Sequence, residues 1–306
     1  LPIKCLIDGT EHFDEKSFHY YLKKIKIKRS DYYERYYPRT DKQTGEKIPF
    51  KEYESYFKTD FLNKNNLKAF CQKNPKDGVE FGRGFLENRA REKGVGSAFH
   101  HVELRSLLCP SVPFFETNGG YNKLCSSLGL NPIFLYKNEI EFQFQSLLKC
   151  VVRCDTREQK LIEFKTVKTR IDTIGYGDYA IDPPYHKGIF IEKKSIGDFA
   201  HSFGKDIDRL EREIIRCKDN GDYMIVLVQC PLSKALGFNH LWEMKYSKVS
   251  PEYVFGNVRD LLHRYDNLQF LFIDKEDSEK VVLDIFKMGD NVRKTDLQYA
   301  RDLKLI

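Results

Sequence analysis

The feature that most constrains this chain is the alternation in its second half. From about residue 148 to about residue 280, short β-rich apolar runs alternate with helical patterns, the mark of an α/β domain built on a sheet. Lys149 to Cys154 reads as a strand that runs into Asp155-Thr156-Arg157-Glu158, and Lys165 to Ile174 reads as another. Gly177 to Asp182 and Gly188 to Lys194 read as two short strands joined by a turn with Pro183, Pro184 and Gly188. Helical patterns cover Ser195 to Phe203 and Asp206 to Lys218. Tyr223 to Gln229 is an unbroken apolar run of the length of a buried strand. Ser250-Pro251-Glu252 opens a helix with an N-cap and a Pro at the first helical position, reaching about Tyr265. Leu268 to Ile273 is the last strand and Ser278 to Lys287 a closing helix.

The first half differs in texture. It is rich in Lys, Tyr, Phe and Asn and reads as helices with loops. One or two helices are expected over Ser17 to Tyr37, a loop over Pro38 to Pro49, and helices over Phe61 to Gln72, Gly78 to Glu92 and His101 to Leu108. The expected division is therefore a mainly helical region over 1–147, an α/β domain over 148–280 and a C-terminal tail over 281–306. A chain of 306 residues is long enough for two domains. No apolar run reaches the roughly 18 to 20 residues of a membrane span, and the start lacks a signal-peptide pattern. The expectation is a soluble intracellular protein of the cytoplasm or nucleus, or of a host cell if the source is a virus or phage, with no membrane partner.

Eight cysteines stand singly, with no Cys-x-x-Cys pair. Cys150 and Cys154 would lie about 13 Å apart on a strand, too far to share one metal ion. Reduced, buried thiols are expected. Cys5, Asp8, His12 and His19 have a finger-like layout but lack a second Cys and a spaced His pair, so they do not predict a zinc site.

The net charge of +6 permits nucleic-acid binding without proving it. The run Lys23, Lys24, Lys26, Lys28, Arg29 is followed by Tyr32, Tyr33, Tyr36 and Tyr37. Lys24, Lys28 and Arg29 are candidate phosphate contacts, with bases stacking on the tyrosines. The competing reading is a solvated helix face with its tyrosines packed in a small core.

The chemistry-bearing residues lie in the second half. Glu192 and Lys194 are two apart on a strand and share a face. Asp178 on the neighbouring strand faces one of them directly if the hairpin pairs with an even register sum; a one-residue slip sends it to the other face. Hydrolysis of a phosphodiester needs a hard cation, and carboxylate oxygens are the natural ligands of Mg²⁺ or Mn²⁺. Asp178 and Glu192 would hold the ion with the backbone carbonyl of Lys193. Lys194 would orient the attacking water or stabilise the developing anion. Asp155 and Glu158 sit where the first strand ends, within reach of the same cleft. By itself an Asp followed by Glu-x-Lys is also what a solvated strand face with a weak ion pair looks like.

The surrounding order of residues sharpens this. Gly177-Asp178, thirteen residues, Glu192-Lys193-Lys194, three residues and Asp198 resembles the Gly-Asp … Glu-Arg-Lys-x3-Asp signature of the XPF-type nucleases, a branch of the PD-(D/E)XK superfamily. Upstream, Val152-Arg153-Cys154-Asp155-Thr156-Arg157-Glu158 looks like the family's Val-x-Asp-x-Arg-Glu segment, one residue longer. Downstream, Asp198-Phe199-Ala200-His201-Ser202-Phe203 is similar to its Asp-Leu-x-x-Ser-Leu helix, followed by the matching Arg209-Leu210. The resemblance spans roughly residues 150 to 275. It implies a restriction-endonuclease-like fold, a central mixed β-sheet flanked by helices. It also implies that Asp178 and Glu192 bind metal, that Lys194 is the catalytic lysine, and that Asp155, Arg157 and Glu158 support them. One departure is Lys193 for the family's Arg, which should point away from Glu192 and Lys194.

Family members that cut branched DNA usually continue into helix–hairpin–helix modules and act as dimers. The residues after Ile273 are too few for that module, so DNA selection is expected from the N-terminal part, a dimer interface or a partner. Arg209, Arg212 and Arg216 recur at helical spacing and are candidate DNA contacts, although Glu211 and Glu213 interrupt the charge. His201 reads as a core or capping residue and His186 as exposed; Trp242, with Phe238 and Tyr246, reads as core, with a DNA contact as the alternative. Three functions are weighed: an endonuclease acting on branched, flapped or distorted DNA, a site-specific phage or mobile-element nuclease, and an inactive DNA-binding scaffold.

Overall fold

A computed structural model describes residues 3–12, 15–36, 38, 40, 45–47, 64–136, 147, 150–182, 188–245 and 249–306. The turn holding Pro183 and Pro184, with His186, lies outside these residues, as do Tyr37, Tyr246 and most of the stretch from Pro38 to Pro49. The chain divides into two compact units, Leu1–Asn74 and Pro75–Ile306.

In the first unit, β1 (Ile3–Lys4) and β2 (Glu11–His12) pair antiparallel, followed by α1 (Glu15–Lys24) and α2 (Arg29–Tyr36). A further helix, α3, covers Lys64–Lys73. Phe18 and Leu22 are one turn apart on α1 and meet Cys5, Tyr32 and Tyr33 in a small core. The Tyr32 hydroxyl accepts the Leu6 N–H at 2.9 Å, tying α2 to the hairpin.

The second unit begins with a helical layer: α4 (Pro75–Lys93), α5 (His101–Ser106), α6 (Val112–Thr117) and α7 (Tyr121–Ser127). Its core of Leu86, Phe99, Leu104, Phe115, Tyr121 and neighbours also takes in Tyr299 from near the other end of the chain. The two short helices α6 and α7 escape the sequence reading because neither is long enough to show a period.

A six-stranded sheet follows, made of β3 (Val151–Asp155), β4 (Lys168–Asp172), β5 (Tyr179–Ile181), β6 (Ile189–Lys194), β7 (Tyr223–Val228) and β8 (Leu268–Phe272). The spatial order is β4-β3-β5-β6-β7-β8. Only β5 runs against its neighbours, so the C-terminal ends of the other five strands share one edge. Every residue of β7 is buried, as a central parallel strand covered on both faces requires. One face packs on α8 (Ile196–Gly204), α9 (Ile207–Asp219) and α11 (Pro251–Arg264) through Val226, Val228, Phe270 and Phe272. The other packs on α12 (Ser278–Met288) through Ile191, Ile225, Leu227 and Leu271. A short helix, α10 (Leu232–Ala235), follows β7.

The last residues do not trail as a tail. α13 (Leu297–Asp302) contacts β8, and Leu297, Ala300 and Ile306 are buried in the second core. Gln298 and Gln269 fix the segment through the backbone of Phe272 and Leu297, at 2.8 and 2.9 Å. The expectation of a tail fails because this hold is polar and gives no apolar period. Trp242, expected in the core, is 81% exposed, with Lys245 Nζ 4.8 Å from its ring centroid. Phe238 and Met244 are the buried residues of that segment instead. All eight cysteines are free and buried. Among the described residues no helix is long and apolar enough to cross a membrane.

Candidate active site

Tyr179 pairs with Ile191, which gives the hairpin the even register and brings Asp178 beside Glu192. Gly177 makes this possible. It sits at φ +72°, and a Cβ there would lie 3.2 Å from the Ile191 carbonyl oxygen. With that approach open, the Asp178 N–H donates to Ile191 O at 2.8 Å and its carboxylate Oδ2 accepts the Lys193 N–H at 2.7 Å. The Asp178 carbonyl in turn accepts the Asp155 N–H at 2.8 Å. Glu192 pairs with Val226 and Lys194 with Val228, on the sheet face covered by α8 and α9.

Glu192 Oε1 accepts a hydrogen bond from Lys194 Nζ at 2.9 Å, and both side chains are largely buried. Burial pushes the Asp178 carboxyl well above the usual carboxylate range. The neighbouring Glu192 and, more weakly, Glu158 push it further, against the Lys193 N–H and Lys194. The Lys193 side chain turns elsewhere, to the Lys160 carbonyl and to Glu158 at 3.3 Å.

Asp155 closes β3 and is buried. Its Oδ1 accepts from Arg157 N and Nε at 2.9 and 2.5 Å; its Oδ2 accepts from Arg157 NH2 and Ile174 N at 3.2 and 2.8 Å. Burial raises its carboxyl, but Arg157 and the two N–H donors outweigh it and hold the pKa below the ordinary value. Asp155 therefore stays ionised and fully bonded, and it fixes Arg157, whose NH2 also reaches Ile174 O at 3.0 Å. Glu158 accepts the Lys160 N–H at 2.6 Å.

The helix after β6 starts at the site. Ser195 caps it, accepting the Asp198 N–H at 3.1 Å and donating to the Asp198 carboxylate at 2.6 Å. Asp198, four residues beyond Lys194, thus orients the helix that follows β6. Phe199 and Phe203 bury the inner face of that helix.

The sequence reading missed Glu213. On α9 the buried stripe is Leu210, Ile214 and Cys217, and Glu213 falls within it at helical spacing. Burial raises its carboxyl, as does Glu192, against Arg209, Lys194 and Arg216. Its Oε1 lies 3.9 Å from Arg209 Nε, while Arg209 is itself exposed. An acid in an apolar stripe was the signal available; reading it only as an interruption of an arginine row hid it.

Other expected residues lie apart. Arg212 and Arg216 are exposed on α9. His201 is exposed, its Nε2 3.0 Å from the Asp206 carboxylate, not in the core. In the first unit Lys24 and Lys28 are exposed, whereas Arg29 is half-buried. Tyr32 and Tyr33 are buried and cannot stack bases, because they fill the core beside Phe18. Cys5, Asp8, His12 and His19 form no metal-holding group among the described residues: His19 bonds Tyr33, and Asp8 takes Thr10 and Tyr21. A cavity of about 410 Å³ opens where β8 ends, lined by Arg105, Leu232, Asp274, Gln298 and Arg301, but none of the candidate catalytic residues lines it.

Among the described residues no group of three or more His, Cys, Asp or Glu is arranged to hold a metal ion. Mg²⁺ does not need one, since it usually keeps several waters and takes one or two carboxylates. Asp178 Oδ1 and Glu192 Oε2 accept no hydrogen bond among the described residues. Two adjacent, half-free carboxylates, with Glu192 raising the proton affinity of Asp178, fit a small divalent cation.

Residues 151–283 match the family model described as the ERCC4 domain. Solved structures that match include XPF from Aeropyrum pernix, 17% identical over 46% of this chain and 68% of that chain, with a TM-score of 0.34. XPF from Aeropyrum pernix in complex with DNA matches at 16% identity over 45% of this chain and 64% of that chain, with a TM-score of 0.32. No curated protein matches the chain. The sheet with helices on both faces defines a mixed α/β domain with a helical N-terminal region. Within that fold, the stretch 151–283, under half of the chain, is similar to the ERCC4 domain.

Proposed function

We propose that this chain is a metal-dependent DNA endonuclease that hydrolyses phosphodiester bonds, acting on branched, flapped or distorted DNA. The observation that carries the proposal is the meeting of Asp178, Glu192 and Lys194 at one edge of the sheet inside a stretch similar to the ERCC4 domain. Asp178 and Glu192, with the Lys193 carbonyl, would hold Mg²⁺ or Mn²⁺. Bound there, the ion supplies Lewis acidity toward the phosphate and toward water.

The chain's own groups do the rest. Water attacks phosphorus, the bond to the leaving oxygen breaks, and that oxygen takes up a proton. Lys194, held by Glu192, presents its ammonium to the attacking water or to the charge growing on the phosphoryl oxygens. Asp155 holds Arg157 at the rim, where its guanidinium can meet a phosphate. Glu158 braces Lys193, so the backbone between Glu192 and Lys194 keeps its direction. Arg209 and Arg212 extend the basic rim along α9, and Lys24, Lys28 and Arg29 are phosphate contacts in the first unit. Pairing of two copies through the nuclease domain belongs to the same proposal and rests on the family's habit. So does an intracellular setting.

The test is incubation with Mg²⁺ or Mn²⁺ and a panel of flap, fork, Holliday, linear and supercoiled DNA. Cutting at junctions is the expected result. One recurrent site on plain duplex would make the protein a site-specific nuclease. Binding without cutting any substrate would make it a scaffold and sink the proposal.

A further inference from the structure

The charge of this chain is unevenly placed. Residues 1–74 hold 16 Lys and Arg against 11 Asp and Glu, a net +5 of the chain's +6. The other unit, Pro75–Ile306, is close to neutral. A basic imbalance confined to one compact unit points to a polyanionic partner for that unit.

Within it, the charge is focused. Phe18 and Leu22 set the buried side of α1, and Tyr20, Lys23 and Lys24 lie on the opposite side, all exposed. Tyr20, at 74%, is among the most exposed large side chains of the protein. Lys26 and Lys28 continue the surface through the turn into α2, also exposed. None of the four lysines forms an ion pair among the described residues, although many cations of the second unit do. The turn is unusual in itself. Lys26 takes φ 59°, a left-handed conformation, with its N–H on Lys23 O at 3.1 Å and the Ile27 N–H on Leu22 O at 2.9 Å. That is a helix-ending motif in which glycine is the residue of least strain. A lysine there presents a cation at the apex of the turn.

We propose that Tyr20, Lys23, Lys24, Lys26 and Lys28 form a binding surface for single-stranded DNA. The backbone phosphates meet the lysines and a base stacks on the Tyr20 ring. Four lysines around one open aromatic ring match the parts list of a single-strand site. Duplex DNA would use the lysines but leave the ring idle. The surface deepens the nuclease reading, from which it takes DNA as the substrate; its binding is independent of cleavage.

The experiment measures binding of the full chain to a fluorescent oligo-dT by anisotropy in EDTA, over a series of salt concentrations. Replacing all four lysines with Ala should weaken binding and flatten the plot of log affinity against log salt by about 0.7 per lysine. Tyr20→Ala should weaken it about tenfold at one salt, and Tyr20→Phe should restore it. All five side chains are exposed, and circular dichroism checks that each variant folds. Unchanged affinity and slope in the lysine variant, or equal binding by Tyr20→Ala, overturns the surface. A loss seen with duplex alone overturns it too. Binding is read in EDTA, where no metal-dependent cleavage occurs, so a failure of the nuclease reading leaves this result legible.

Discussion

Lys194 Nζ sits 2.9 Å from Glu192 Oε1, two residues back along the same strand and beside Asp178. The ammonium therefore offsets one of two neighbouring carboxylates in the metal-free protein. A divalent cation would offset both. Adding Mg²⁺ in excess should raise the melting temperature, since ligand at about 100 times its Kd stabilises by about 2.7 kcal/mol. Glu192→Gln should keep the metal-free melting temperature and lose most of that rise. A full Mg²⁺-dependent rise in this variant would remove Glu192 from the ion's shell.

The raised carboxyl of Asp178 has a consequence for stability against pH. A carboxyl raised by folding is protonated in the native state where the unfolded chain is already ionised. Its contribution is fully present below the unfolded pKa and is lost as pH rises through the folded one. The metal-free protein should thus weaken from mildly acidic to mildly basic pH. Each unit of elevation is worth about 1.36 kcal/mol, so Asp178→Asn should stabilise the metal-free protein at basic pH by at least about 1 kcal/mol. Glu213→Gln should act in the same direction more weakly. Thermal melts in EDTA across pH check both.

Gly177 allows Asp178 to approach Ile191. Gly177→Ala places a Cβ in a left-handed residue and against a carbonyl, a strain of about 1–2 kcal/mol. Its effect should fall on turnover, because Asp178 is the next residue, while DNA affinity stays near that of the parent. Single-turnover cleavage and EDTA binding measured side by side separate the two.

Glu103 is fully buried on α5, and its Oε1 is held by Arg89 at 3.2 Å and His263 at 2.9 Å. This joins the helical layer to α11 within the second unit. Glu103→Ala leaves the largely buried Arg89 and His263 donors without their partner and should cost about 3–5 kcal/mol in urea unfolding. A fragment starting at residue 148 lacks the same hold and should not fold cooperatively.

The sheet was legible because its strands alternate or run apolar, and the residues of the site because carboxylates and a lysine fall two apart on one strand. Asp178, Glu192 and Lys194 come together through a register the hairpin's sequence left open, which the Ile191–Tyr179 pair settles. Glu213 was not legible from charge counting, since only the helix's packing reveals that its side points inward. Trp242 misled because residue type says little where a neighbour, Met244, takes the buried place. The docking of the last residues was hidden because side-chain amides on backbone leave no apolar period.

The most direct test compares the parent chain with Asp178→Asn and Lys194→Ala on a branched DNA that the parent cuts, with Mg²⁺ for cleavage and EDTA for binding. The account predicts that each variant loses at least about 10²-fold in rate and binds DNA like the parent. Cleavage at the parental rate by either variant would contradict it.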